Sequence, residues 1–214
     1  AEITSYLGEA VSSELSGNMI DLCPVGALTS KPFRYQARTW ELARRRSVSP
    51  HDSVGSNIVV QVKNDRVLRV VPFENEAVNE CWISDKDRFS YEGLYAEDRL
   101  TTPMVKGDDG VWREASWEDA LLAATDRLVN ANEQQGVGSI GAFTAEYATL
   151  EEMSLLSKLV RGLGSDHIDS RLRLGDENID KALEGTPWLG MPIAELNTLD
   201  GVLVVDSNLR QDHP

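Results

Sequence analysis

The sequence predicts an α/β fold with a small β-rich (α+β) module ahead of it. Two β-rich runs, 57–62 and 66–71, are separated by three residues, which is typical of a β-hairpin. From residue 116 onward, amphipathic helical segments alternate with short apolar runs, and this order predicts a parallel sheet with crossover helices. The chain should therefore contain two differently built parts.

Residues 2–22 have the spacing of an amphipathic helix. Apolar side chains recur along one side of it: Ile3, Leu7, Val11 and Leu15. Gly17 interrupts the pattern, and a Cys-Pro-Val-Gly turn follows at Cys23. Proline restricts φ and lacks a backbone N–H, so we expect the chain to turn sharply after the thiol.

A basic segment precedes the hairpin. Residues 31–46, KPFRYQARTWELARRR, hold six basic residues and one acidic residue, a local charge of +5. The whole chain carries −14, so the remainder carries −19. With Phe33, Tyr35 and Trp40 interleaved, the segment indicates docking on an acidic neighbour or a place beside a negatively charged cluster. A solvated basic face is the alternative, and the acidic balance argues against nucleic-acid binding.

Two capping motifs mark the helices of the second half. Ser116 with Asp119 opens the first helix, which ends at Gly136, and Thr149 with Glu152 opens the second. Each motif satisfies backbone N–H groups that a helix start leaves without partners. We therefore predict helices that begin directly after these two residues.

Short apolar runs at 139–143 and 201–206 are predicted to be strands of the parallel sheet. A parallel strand at 201–206 needs a covering helix, and only eight residues follow it. The chain also starts at Ala1 without a methionine. We therefore expect a fold that is truncated at both ends.

Composition limits the class of protein. Hydrophobic residues make up 41% and charged residues 26% of 214 residues, as in ordinary globular proteins. Two cysteines argue against a disulfide framework and favour a reducing compartment. No apolar stretch approaches the roughly 20 residues that span a bilayer, so we expect no direct membrane insertion.

Cys23 is the candidate metal ligand. The last cysteine of ferredoxin-type iron–sulfur motifs is followed by proline, and a thiolate is the soft ligand that such clusters require. One cysteine cannot hold a four-iron cluster, so three further ligands would lie outside this chain. The alternative is a free cysteine that packs as a small hydrophobe.

Three blocks carry a family resemblance: SELSGNMIDLCPVGALTSKP at 13–32, DSVGSNI at 52–58 and WISDKDRFSYEGL at 82–94. They resemble the large iron–sulfur subunit in the peripheral arm of respiratory NADH:quinone oxidoreductase, complex I. The resemblance implies that Cys23 is the fourth ligand of a 4Fe–4S cluster whose Cys-x-x-Cys-x-x-Cys triplet lies upstream. It also implies that the α/β part is molybdopterin-oxidoreductase-like.

The resemblance divides the chain into three parts. Residues 1–30 would be the C-terminal end of a 4Fe–4S ferredoxin-like domain. Residues 31–105 would be a molybdopterin-oxidoreductase-type 4Fe–4S module that has lost its cluster ligands. Residues 106–214 would be the incomplete start of the α/β molybdopterin-oxidoreductase-like domain.

The lost ligands are inferred from four positions at which some relatives carry cysteine: Ser49, Asp52, Ser56 and Ser84. Their hard oxygen atoms replace thiolates poorly, so we expect no cluster between residues 47 and 90, although the fold should survive. Cys81 lies out of register with these positions and is interpreted as a structural or surface thiol.

We expect no molybdopterin, because no G-x-G-x-x-G loop follows any strand and Asp206 would repel a phosphate at the last one. No catalytic residue is identified, since the three histidines lack metal-ligand spacing and 166–169 is interpreted as a solvated loop. The isolated chain is therefore expected to be inactive.

The function that the resemblance implies is electron transfer from NADH and flavin toward quinone. NADH, FMN and quinone would be bound by partner subunits, namely the other subunits of the peripheral arm of complex I. The subunit would lie peripherally at the cytoplasmic side of the bacterial inner membrane. The alternatives are a molybdopterin-dependent oxidoreductase of the formate dehydrogenase type and a non-redox structural module.

Overall fold

The computed structural model of the chain describes residues 8–145, 147–171, 177–182, 184–185 and 188–212. Its residues fall into two compact units, one made of Ala1–Glu97 with Pro187–Pro214 and the other of Asp98–Thr186. Strands and helices are mixed and the sheets are small. Within the described residues, no helix combines the length and apolar character that crossing a membrane requires.

The first unit is built on a three-stranded antiparallel sheet. The helix α1 (Asn18–Leu22) precedes its strands, which are β1 (Ala43–Val48), β2 (Asn57–Lys63) and β3 (Arg66–Pro72), in the order β1-β2-β3. The predicted hairpin is confirmed as β2 and β3. Its turn residues Asn64 and Asp65 have φ of 50° and 57°, the left-handed conformation that a tight hairpin turn needs.

Strand β1 is not among the strands expected from the sequence, because its Ala-Arg-Arg-Arg-Ser-Val segment lacks apolar alternation. It pairs with β2 from Ala43 opposite Val62 to Val48 opposite Asn57, and all six of its residues are exposed. Backbone pairing with β2, rather than burial of its own side chains, therefore makes this segment a strand.

A small core lies beneath the sheet. Ile58 of β2, Val70 of β3 and Ile83 are buried together, and further side chains pack against them: Val60, Val67 and Tyr91. The short helix α2 (Asp85–Phe89) begins two residues after Ile83. The core thus holds the segment 83–89 against the hairpin.

The expected helix over residues 2–22 is wrong in most of its described part. Residues 8–13 are not helical, 14–17 form turns, and only Asn18–Leu22 is α-helix. Val11 and Leu15 are exposed rather than aligned on a buried face. Without apolar surface to bury, the spacing alone does not stabilise a helix. Ile3 and Leu7 lie outside the described residues.

The second unit begins with a hairpin and two capped helices. Strands β4 (Met104–Lys106) and β5 (Trp112–Glu114) pair antiparallel and are followed by α3 (Trp117–Gln135). The Ser116 hydroxyl accepts the Asp119 N–H at 3.1 Å, and α3 ends at Gly136 with φ of 89°, as predicted. Several apolar side chains of α3 are exposed, however, with Trp117 at 73% and Leu121 at 62%.

A short parallel pair completes the second unit. Strand β6 (Ala142–Phe143), helix α4 (Leu150–Gly162) and strand β7 (Ile168–Asp169) follow in order, and β6 pairs parallel with β7. The capping box of Thr149 and Glu152 is present at the start of α4. Strand, helix and strand follow in the predicted order and the strands pair parallel, but each has only two residues and the second is Ile168–Asp169 rather than the predicted 201–206. The segment 166–169, interpreted from the sequence as a solvated loop, thus contains a strand, because β6 pairs with its backbone. Helix α5 (Glu177–Ala182) follows.

The predicted strand at 201–206 is not formed. Residues 201–205 have no regular secondary structure, and helix α6 (Leu209–Asp212) follows shortly after. The apolar side chains of this run are exposed, with Leu203 at 87%. No described strand pairs with it, and a strand forms only when a neighbour takes up its backbone hydrogen bonds.

Candidate functional site

The candidate site is the turn that follows α1. The Cys23 N–H donates to the Met19 carbonyl at 3.1 Å and so ends the helix. The chain then folds back through Gly26, whose φ of 65° favours glycine. This brings the Leu28 N–H within 3.5 Å of the Cys23 Sγ, to which it donates. The thiol is partly exposed.

This arrangement favours the thiolate. The backbone N–H of Leu28 lowers the pKa of the Cys23 thiol most, followed by that of Val25, with smaller contributions from Ala27 and Gly26. Hydrogen bonds to the charged form stabilise it, and the thiolate is the form that binds a metal. The turn therefore fits one position of an iron–sulfur cluster, with the Cys23 Sγ as the iron ligand and N–H donors around the sulfur.

The start of α1 is held by Asp85 of α2. One carboxylate oxygen accepts the Gly17 N–H at 2.6 Å, and the other accepts the Ser16 hydroxyl at 2.6 Å. In the opposite direction, the Asp85 N–H donates to the Glu14 carbonyl at 2.7 Å. A β-carbon at Gly17 would lie 2.6 Å from the Asp85 carboxylate, so only glycine permits this close approach.

Asn18 extends the connection into the core. Its amide donates to the Ile83 carbonyl at 2.9 Å, and its carbonyl oxygen accepts the Ile83 N–H at 3.2 Å. Asn18 is 4% exposed and Ile83 is 2% exposed. Helix α1 is thus bonded at the backbone of a core residue on a segment 65 positions away.

Arg88 of α2 adds a further contact. The contacts of Asp85 and Arg88 with the segment that begins α1 are called the clamp. Its Nη2 donates to the Asn18 side chain at 3.1 Å and forms an ion pair with Asp21 at 2.6 Å. The arginine side chain is 4% exposed, and its Nε has no hydrogen-bond partner among the described residues. A buried guanidinium is therefore paired with a carboxylate that lies two residues before Cys23 in the sequence.

The positions interpreted as lost cluster ligands lie together on the other side of α2. Asp87 is buried and accepts the Ser49 hydroxyl at 2.5 Å and the Ser84 hydroxyl at 3.2 Å. The Ser49 N–H donates to the Ser56 carbonyl at 2.8 Å. Asp52 accepts the Ser56 N–H at 3.2 Å and folds the intervening loop. Hydrogen bonds thus connect all four positions.

The remaining candidates are not part of the Cys23 turn. Cys81 is exposed. His51 shares a 2.8 Å hydrogen bond with Ser90, and His167 is exposed beside β7. Among the described residues, no group of three or more histidine, cysteine or carboxylate side chains is arranged to hold a metal ion.

Sequence reasoning missed the residues that hold α1: Gly17, Asn18, Asp85 and Arg88. In the sequence they look like a helix breaker and a solvated charged stretch. The only available signal was that both segments fall within blocks that carry the family resemblance. A pair of segments this distant gives no local pattern that would predict their contact.

Comparison with known proteins identifies the family. Residues 99–214, more than half of the chain, match the family model described as molybdopterin oxidoreductase. The chain belongs to this family. Residues 42–92 match the NDSU1/NuoG-like 4Fe-4S domain of NADH-ubiquinone oxidoreductase, and residues 1–29 match the ferredoxin-like domain of NADH-quinone oxidoreductase subunit 3.

Individual relatives confirm the resemblance to the large iron–sulfur subunit of complex I. The chain is 39% identical over 213 residues to the G subunit of NADH-quinone oxidoreductase from Rickettsia felis, covering 100% of the chain and 31% of that protein. It is 45% identical over 167 residues to the mitochondrial NADH dehydrogenase [ubiquinone] iron-sulfur protein 1 of Solanum tuberosum, covering 78% and 22%. The NADH-ubiquinone oxidoreductase 75 kDa subunit of Reclinomonas americana is 38% identical over 224 residues, covering 100% and 32%. The chain therefore spans about a third or less of the length of these relatives.

Membership of this family raises the question of a pterin site in the second unit. The open cleft beside β6 and β7 is lined by Asp166, His167 and Asp169 among others. Backbone and side-chain hydrogen bonds from Arg171 lower the pKa of Asp169, which keeps this carboxyl ionised. Asp166 is paired with Arg161 at 3.4 Å and Asp169 with Arg171 at 3.2 Å. No lysine or arginine is among the described lining residues to bind the phosphates of a pterin nucleotide. The residues of this cleft do not fit such a group.

Proposed function

We propose that this chain is part of the iron–sulfur electron-transfer subunit of NADH:quinone oxidoreductase, passing electrons from NADH and flavin toward quinone. Cys23 is one ligand of a 4Fe–4S cluster, and the other three ligands lie outside these 214 residues. The observation that carries the proposal is the Cys23 turn, in which the Leu28 N–H donates to the Cys23 Sγ at 3.5 Å and backbone N–H groups of the turn lower the pKa of the thiol.

The residues of the chain have defined roles in this proposal. The Cys23 Sγ binds one iron, and the Leu28 N–H donates to that sulfur. Helix α1 orients the cysteine, because the Cys23 N–H is bonded to its last turn. The cluster, when bound, supplies one-electron transfer, and N–H donors to its sulfur atoms adjust its reduction potential. No residue of this chain is assigned a catalytic role.

Partners are proposed from the relatives and from the charge of β1. The relatives are named as subunits of NADH-quinone oxidoreductase, so we place the chain among the other peripheral-arm subunits of complex I. NADH, FMN and quinone are bound by those partners. The exposed β1 strand, with Arg44, Arg45 and Arg46, would dock on an acidic surface of one of them. We place the subunit peripherally at the cytoplasmic side of a bacterial inner membrane.

A Cys23→Ala variant of the complete subunit, assembled into its complex, tests the proposal. We expect one 4Fe–4S signal to vanish from the electron paramagnetic resonance (EPR) spectrum of the reduced complex. Most NADH:quinone activity should be lost with it, because the electron path is interrupted. Cys81→Ala is the matched control and should leave both unchanged, since this exposed thiol is out of register with the cluster-ligand positions. An unchanged spectrum in Cys23→Ala would show that the assignment is wrong.

A molybdopterin-dependent oxidoreductase is the second candidate, because residues 99–214 match that family. The cleft beside β6 and β7 opposes it, because no lysine or arginine is among the residues described as lining it. Metal analysis of the purified complete protein separates the two: we expect iron without stoichiometric molybdenum or tungsten. One molybdenum or tungsten per protein would instead favour the second candidate.

A further inference from the structure

Helix α2 forms hydrogen bonds both with the segment around α1, which leads into Cys23, and with the loop that contains Ser49. Asp85 and Arg88 bind α1, which leads into Cys23. Asp87, on the same helix, binds Ser49 and Ser84. One five-residue helix therefore connects the candidate cluster ligand to the loop of the neighbouring module.

Helix α1 depends on this connection for its orientation. It has five residues, and a helix of this length is unstable without tertiary contacts. Its buried residue is Asn18, whose side chain is bonded to Ile83 and Arg88. The orientation of α1 therefore comes from polar contacts with segment 83–88 rather than from an apolar face.

Arg88 is the central member of these contacts. Among the described residues, it is the cation that pairs with a side chain of α1, through Asp21 at 2.6 Å. Asp21 lies two residues before Cys23, so a shift of the ion pair moves the end of the helix that carries the thiolate. The guanidinium is 4% exposed and therefore desolvated, which strengthens its interaction with the carboxylate.

We propose that Arg88 is a positioning residue for the Cys23 thiolate, acting through Asp21 and Asn18. The inference rests on the proposed role of Cys23 as an iron ligand. Arg88 sets the direction in which Cys23 presents its Sγ, and it balances the negative charge of Asp21 beside the ligand. Neither effect requires Arg88 to contact the cluster.

Three single substitutions in the complete, assembled subunit test this. Arg88→Met removes the ion-pair partner of Asp21 and leaves only the weaker interaction of that carboxylate with Arg69. The signal that Cys23→Ala abolishes should therefore have altered g-values and a more negative midpoint potential. Asp21→Asn leaves the Arg88 cation unbalanced, so that potential should become more positive. The iron content should stay at the wild-type level in both. Arg88→Lys keeps the positive charge but loses the guanidinium that bonds both Asn18 and Asp21. Its midpoint potential should therefore lie closer to the wild-type value than that of Arg88→Met, whereas its g-values should stay altered.

Lys86→Met is the matched control, since Lys86 is an exposed cation on the same helix, and it should change neither readout. Wild-type g-values and potential in Arg88→Met, or shifts equal to those of Lys86→Met, would overturn the inference. If Arg88→Met does not assemble, Asp21→Asn and Arg88→Lys decide by the same readouts, and wild-type values in both would overturn it. Retention of every signal in Cys23→Ala would instead contradict the proposed function itself.

Discussion

Asp87 holds together the loop that the resemblance interprets as a former cluster site. The carboxylate is 3% exposed and accepts hydrogen bonds from Ser49 and Ser84, which stand where some relatives carry cysteine. The Ser84 hydroxyl also accepts the Asp87 N–H and caps α2. Hydrogen bonds thus join the loop here, which agrees with our expectation that the fold survives without cluster ligands. The absence of a cluster itself stays a prediction.

Asp87→Ala should lower the free energy of unfolding by about 3 kcal/mol, because two buried hydroxyls lose their partner. Asp87→Asn should lower the free energy of unfolding by less, since an amide can accept a hydrogen bond from one serine and donate one to the other. Urea unfolding of the complete subunit measures both. Lys86→Ala, an exposed change on the same helix, should stay within about 0.5 kcal/mol of the wild type. Equal values for Asp87→Ala and Lys86→Ala would contradict the bridging role.

At the scale of elements, α1 begins where the backbone of Gly17 meets Asp85 and Arg88. A β-carbon at this position would lie 2.6 Å from the Asp85 carboxylate and 2.7 Å from the Arg88 Cδ. Both side chains are held in place by other bonds and cannot withdraw freely. The start of the helix is therefore limited by its neighbour rather than by its own sequence.

Gly17→Ala should reduce the free energy of unfolding by about 1–3 kcal/mol through overpacking. The matched control is Gly93→Ala, because a β-carbon there meets nothing within 4 Å. Thermal or urea unfolding of both variants makes the comparison. If Gly17→Ala is as stable as Gly93→Ala, the side chains of Asp85 and Arg88 move aside at little energetic cost, contrary to this prediction.

Glu41, in the turn before β1, makes a pH-dependent contribution to the stability of the fold. Glu41 accepts the Arg38 N–H at 2.6 Å and pairs with Lys63 of β2 at 2.9 Å. The Arg38 N–H, followed by Lys63, lowers the pKa of the Glu41 carboxyl below its usual range. Its stabilisation is therefore present above the unfolded-state pKa and is lost as pH falls through the lower folded-state pKa.

Glu41→Gln should be less stable than the wild type at pH 7, and the difference should shrink below about pH 4. The reason is that the wild-type carboxyl becomes protonated there and loses its ionic partner. Urea unfolding at several pH values gives the comparison. A stability difference that does not change with pH would contradict the assignment.

At the scale of the whole molecule, charge is unevenly distributed. The basic segment 31–46 carries +5 in a chain of −14, and its C-terminal part forms the exposed strand β1. Trp40 and Tyr35 beside it are 83% and 96% exposed. Exposed aromatic and arginine side chains together are typical of protein interfaces. The docking hypothesis made from the sequence thus has an accessible surface.

Arg45→Glu should weaken association with partner subunits by about threefold to tenfold at low ionic strength, and by less at high salt. Lys158→Glu, the same charge reversal on the exposed face of α4, is the control and should have no such effect. Reconstitution of the complex at two salt concentrations measures this. Equal association of both variants would argue for a solvated basic face.

Turns and helix caps, which are formed by residues close together in the chain, were predictable from the sequence. The hairpin turn at residues 63–66, the helix starts at Ser116 and Thr149, and the turn at Cys23 depend on residues within five positions of one another. Hydrogen bonds over such short separations leave a readable pattern of turn and capping residues.

By itself, the sequence therefore determined the hairpin, the helix caps, the family resemblance and the ligand candidate Cys23. Only the tertiary structure decided that β1 is a strand, that residues 201–205 are not, and that Asp85 and Arg88 hold α1. These outcomes depend on partners far along the chain, such as Asp85 for Gly17 at a separation of 68 positions. A strand or a clamp exists only when its distant partner is brought beside it, and no local pattern encodes that meeting.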